Sequence, residues 1–159
     1  MSVLGIPATL LIHENLGVVM TFVYSRVALI EFRQKRFEGE WKYLEKAIFD
    51  LPEQRAIRSV LELGLLFRSI DDSYQMSSRP SFASFIFGEL YDADGKNTRL
   101  RLRDVANKIL HAEKLEWDFT EPDEPKLVCH AHVNQARFGW TRAVIKISNF
   151  AAICGGLMS

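Results

Sequence analysis

KLVCHAHVNQARFGWTRAVIKI, residues 126–147, decides the fold, because here the hydrophobic period drops from that of a helix to that of a strand. In residues 126–134, Leu127, Cys129, Ala131 and Val133 point one way while Val128, His130, His132 and Asn134 point the other. Gly139 closes a short loop. From residue 140 the alternation resumes, with Thr141, Ala143, Ile145 and Ile147 opposed to Trp140, Arg142, Val144 and Lys146. Two alternating runs around a glycine-containing loop predict a β-hairpin with one aliphatic face. EWDFT at 116–120 offers a third antiparallel strand before the turn at 122–125.

Upstream the period is helical. In residues 15–35, Leu16, Val19, Met20, Val23, Val27 and Ile30 recur at helical spacing, and Val18, Phe22 and Leu29 make the helix apolar most of the way round. Gly39 suits its C-terminal end. A short second helix is expected over 40–49. Asp50 and Pro52 mark a break and a capped restart, and a third helix over 52–70 turns Ala56, Val60, Leu63, Phe67 and Ile70 inward. Residues 73–81 read as a polar connector, 81–90 as a short apolar helix, and YDADGKN at 91–97 as a turn. Residues 149–157 form a terminal apolar segment that Gly155 and Gly156 are expected to stop. The expected architecture is α+β: one domain, residues 1–159, with a helical layer (about 14–112) packed on a small antiparallel sheet (hairpin part about 116–148).

Composition narrows the function classes. The chain has 159 residues, 48% hydrophobic and 25% charged, as in an ordinary globular protein. Twenty Lys and Arg balance 20 Asp and Glu, so no global field draws it to nucleic acid or acidic lipid. The apolar run 17–30 is interrupted by Arg26 and falls short of the roughly 20 residues of a bilayer span, so no membrane contact is expected. Two cysteines and no basic signal segment at the start of the sequence point to the cytoplasm.

The candidate site lies on LRLRDVANKILHA, residues 100–112. At about 100° per residue, Leu102, Val105, Ala106 and Ile109 share one side, while Asp104, Asn107 and His111 share the other at spacings that let side chains meet. Asp71 and Asp72 end the third helix, where the macrodipole disfavours negative charge, so a cation or solvent must offset them. Asp71 falls on the inward side. It either orients His111 or an arginine, or caps the helix end within a structural ion pair. His111, Asn107, Arg103, Asp71 and Asp104 are therefore the candidate site, expected to form one polar network. His130 and His132 share a sheet face and could hold a metal with His111, His13 or a carboxylate, but a solvated face is the simpler reading, so no metal or cofactor is expected. With Trp140, Arg142 and Lys146 the same face is a modest candidate for single-stranded nucleic acid. The turn at 92–97 lacks the glycine and glutamate positions of a calcium-binding EF-hand loop.

LRDVANKILHA resembles the helix of small bacterial proteins in which an Arg-rich turn precedes Asn, Lys, two aliphatics and His. Those proteins join it to an upstream helix ending in Asp-Asp, here Phe67 to Asp72, and finish with a hairpin like RAVIKI. The likeness implies no activity. A more distant similarity links Asn107 and His111 to the HEPN superfamily of helical ribonucleases. There the arginine of the motif precedes the polar residue, whereas here Ala106 holds that position and Arg103 lies about 80° round the helix from His111. Three function classes follow. The first is an interaction or accessory protein that binds itself or another protein. The second is a HEPN-like, metal-independent ribonuclease acting on RNA, with His111 as acid or base and Arg103 or Arg68 steadying the phosphorane. The third is a metal enzyme centred on His130 and His132.

Overall fold

Thirteen strands and helices and two irregular turns build the described part of the chain, which in this computed structural model comprises residues 2–3, 6–37, 42–132 and 139–158. After the strand pair β1 (Ser2–Val3) and β2 (Ile6–Pro7) come α1 (Ala8–Arg36), α2 (Lys42–Glu45), a π-turn (Lys46–Asp50) and α3 (Leu51–Tyr74). A 3₁₀ turn (Met76–Ser78) leads to α4 (Pro80–Ala83), β3 (Gly88–Tyr91), β4 (Asn97–Leu100) and α5 (Leu102–Leu110). The chain ends with β5 (Lys114–Asp118), β6 (Lys126–His130), β7 (Arg142–Lys146) and α6 (Ile147–Met158). The α+β expectation holds: helices pack on one face of a fully antiparallel sheet of order β4-β3-β7-β6-β5.

Period two places the sheet residues as the alternation requires. Leu127, Cys129, Ala143, Ile145 and Ile147 are fully buried, whereas His130, His132, Arg142 and Lys146 lie on the outer face. Val133 and Asn134 fall outside the described residues, as does Gly39. Trp140 departs from its expected outward position. It is buried, with the Lys108 ammonium 4.4 Å from its ring centre, because residue 140 precedes the paired strand and is not bound by its alternation. The outer face thereby loses the aromatic that a nucleic-acid reading needed.

The sheet is larger than the hairpin predicts, and it reaches into the part read as helical. Residues 81–90 form only the single turn of α4 before extending, and β3 pairs both with β4 and with β7, Gly88 lying opposite Ile145. Phe85, Phe87 and Leu90 carry no periodicity that separates helix from strand over so short a run. The turn at 92–96 is as read, with the Asp92 carboxylate accepting the Asp94 and Lys96 amides and Gly95 at φ 78°.

Two helix boundaries also differ. Asp50 is helical and makes no capping bond; the chain passes from α2 into α3 through the π-turn, in which the Leu51 amide bonds to the Lys46 carbonyl. Pro52 has no N–H to give, and the widened turn absorbs that loss without a break. At the other end, α6 runs through Gly155 and Gly156. A Cβ on Gly156 would sit 2.8 Å from Phe82 Cζ, so this glycine admits a packed ring and does not end the helix.

Helix α1 begins at Ala8, earlier than the expected start at residue 15, and ends at Arg36, close to the expected end, and its 29 residues are long and apolar enough to cross a membrane by length and composition. Yet Ile12, Val19, Phe22 and Val23 are buried in the common core, and Phe22 packs against Trp117 of β5 at 5.4 Å. Replacing Ile145, fully buried on the inner sheet face, by Asp strands a charge in that core. A loss of about 3–5 kcal/mol in denaturant unfolding is expected, and a loss under about 1 kcal/mol would show the face to be wrongly assigned.

Candidate functional site

The inner face of α5 is Leu102, Val105, Ala106 and Ile109, all buried, as the helical wheel requires. It lies close against α3 because Gly64 leaves room for Ile109, whose Cγ2 would be 2.9 Å from a Cβ at position 64. This approach sets the N-terminal end of α5 beside the C-terminal end of α3, and five charged or hydroxyl side chains meet there or nearby.

Asp71, 5% exposed, is the centre of that joint. Its carboxylate accepts the Ser77 amide at 2.7 Å, the Ser77 hydroxyl at 3.1 Å and Arg103 Nη1 at 3.1 Å. Its carbonyl accepts the amide of Gln75, whose left-handed backbone (φ 50°) ends α3. Arg103 also bonds Asp72, and Arg68 Nε lies 3.9 Å from the same carboxylate. Arg103 thus supplies the cation that two carboxylates at a helix C-terminus need. Burial opposes the Asp71 charge, but the Ser77 amide and hydroxyl and the Arg103 guanidinium outweigh it and hold the pKa below the usual 3.8.

The remaining candidates do not join this joint. Asp104 turns back to accept the Arg101 amide at 3.1 Å and so caps its own helix. His111 is the exposed C-cap of α5, about 12 Å further along the axis than Arg103. Asn107 and His111 make no side-chain hydrogen bond among the described residues; the contact between them is the His111 amide to the Asn107 carbonyl at 3.0 Å. The expected network linking Asp71 to His111 is therefore corrected. A shared wheel position aligns residues along the axis but does not bring the two ends of a helix together. Sequence reasoning missed Ser77, which no local pattern marks, since the fold returns it to Asp71 only through the turn at Gln75.

Chemically, Asp71 is held ionised and surrounded by donors, so it is not poised to take a proton, and Arg103 is already neutralised by two carboxylates. The outer sheet histidines each face a glutamate of β5 or its approach: His130 Nε2 lies 3.0 Å from Glu116 and His132 Nε2 lies 3.8 Å from Glu113. Among the described residues no three His, Cys, Asp or Glu side chains gather as a metal site. Burial pushes the thiols of Cys129 and Cys154 up to about 12, so neither is an activated nucleophile.

Removing the Asp71 carboxylate leaves the Ser77 amide without its acceptor, and Asp71→Ala is expected to cost about 2–4 kcal/mol in denaturant unfolding. Because the native pKa is depressed, the stabilisation is present above the ordinary carboxylate value near 3.8 and is lost as pH falls through the lower native value. Wild type should thus lose stability below about pH 4 more steeply than Asp71→Asn, and parallel acid profiles would contradict the assignment. His130→Ala should cost under about 1 kcal/mol, and zinc should leave the melting midpoint of wild type unchanged. No protein-family model, curated protein or solved structure matches this chain, so the site rests on its own geometry.

Proposed function

We propose that the protein works by association, as an interaction or accessory protein, with the outward face of α1 as its contact surface and a second copy of the chain as the partner. The observation that carries this reading is the burial along α1. No residue of the helix after Val23 is buried, although Val27, Leu29, Ile30 and Phe32 are all apolar. Leu10, Tyr24 and Val27 are 46%, 44% and 45% exposed. Leu10, Gly17 and Tyr24 recur at intervals of seven, and Val27 follows Tyr24 by three with Met20, half-buried against the core, seven before it, the spacing of a two-helix seam. A Cβ at Gly17 would meet nothing within 4 Å, which leaves space for a second helix to approach.

Ribonuclease chemistry receives no comparable support. It would need Arg103 beside His111, whereas Arg103 is engaged by Asp71 and Asp72 at the opposite end of α5.

Sedimentation of wild type over a hundredfold concentration range is expected to give a concentration-dependent dimer. Val27→Glu and Tyr24→Glu should each raise its dissociation constant at least about tenfold while shifting the monomer's stability by no more than about 0.5 kcal/mol, since both side chains are exposed. A monomer at every concentration, or a dimer indifferent to both changes, would overturn the reading. Flotation with liposomes separates the competing outcome, in which the same face meets lipid.

A further inference from the structure

A cleft of about 570 Å³ runs between α1 and the segment formed by the π-turn and the start of α3. Its size is that of a small-molecule site. The walls are largely apolar, with Val18, Phe22, Leu29, Ile48 and Phe49 among them. Along α1 it extends over residues 14–29, about 22 Å.

One residue in this wall is out of keeping with the rest. The Arg26 guanidinium lies over two aromatic rings, 5.6 Å from the centre of Phe49 and 4.8 Å from that of Phe119. Its Nη1 is buried with no hydrogen-bond partner, and among the described residues no carboxylate pairs with it. Aromatic faces attract a cation but accept none of its directed hydrogen bonds. With Nη1 shut away, the half-enclosed guanidinium is a cation without a counter-charge, and an anion in the cleft would meet it at its other nitrogens. Arg55 adds a second guanidinium to the lining, against one carboxylate, Glu14. An elongated apolar groove with an excess of positive charge and an unpaired guanidinium fits a ligand with a single anionic head and an aliphatic tail.

We infer that this cleft binds an aliphatic carboxylate of the fatty-acid type, its head group paired with Arg26 and its tail laid along Val18, Phe22, Leu29 and Ile48. Of the self-association seam only Gly17 borders this cleft, and the inference does not rest on that seam, because Tyr24 and Val27, whose changes test it, are not part of the lining. The carboxylate would accept from the guanidinium in the shared plane of the two groups, the geometry at which arginine exceeds lysine.

Isothermal titration of the full chain with sodium decanoate, below its micelle concentration, tests the proposal, with decanol as the same tail without charge. Decanoate is expected to bind wild type at least about tenfold more tightly than decanol. Arg26→Gln should remove that preference and leave decanol binding as it was. Val18→Trp, at a position 38% exposed and therefore tolerant of size, should obstruct both ligands. Arg26→Lys, which keeps the charge without the planar fork, should fall between wild type and Arg26→Gln and serves in its place if that variant does not fold. Failure of decanoate to bind wild type would overturn the proposal, as would equal affinity for decanol or indifference to both Arg26 changes and Val18→Trp.

Discussion

The closeness of α5 to α3 governs the rest of the molecule. Gly64 gives up its side-chain volume to Ile109, and this lets a nine-residue helix bury a whole face on a longer one. A short helix has little intrinsic stability in water and forms because its apolar face is covered. The same approach brings Arg103 to the end of α3, where two carboxylates would otherwise oppose the helix dipole. Packing and electrostatics are thus one arrangement. Asp71 then holds the chain leaving α3 by accepting Ser77, and so directs it toward α4 and the sheet.

The opposite end of α5 meets a different constraint. Lys108 lies over the ring of the buried Trp140, and burial holds its ammonium below the usual lysine pKa. This contact ties α5 to the segment that enters β7, while His111 beyond it stays in solvent. The two ends of α5 therefore anchor two layers: the N-terminal end to the helices, the C-terminal end to the sheet. Polar residues along its outer face are the remainder left by those anchors, which is why Asn107 and His111 have no shared partner.

Helix α1 is the element least satisfied by its own chain. Its N-terminal part seals the core against Trp117 and the helices, and its C-terminal part presents apolar side chains to solvent or to the cleft beside the π-turn. Arg33 pairs with Glu45 and holds α2 against this exposed part. An apolar helix covered on one side has surface to offer, and the location of Arg26 gives one side of it a charge preference. Both proposals come from this one incompletely covered element.

Much of the architecture was legible because periodicity is a local property. The alternation at 126–131 and 141–147 determined which side of the sheet faces the helices, and the wheel of residues 102–109 determined the buried face of α5. The β3–β4 hairpin was not legible, because four-residue strands carry too few positions to show a period and are selected by pairing with β7. The site was legible as a set of residues but not as an assembly. Sequence placed Asp71 inward and required either a cation or solvent to offset its charge. Only the tertiary structure decided that the cation is Arg103, that Ser77 completes the shell and that His111 stands apart, because those distances depend on how two helices cross and where the chain turns between them. The isolated Arg26 was visible in its apolar run, whereas the two rings it lies over come from Phe49 and Phe119, remote in sequence and joined only by the fold.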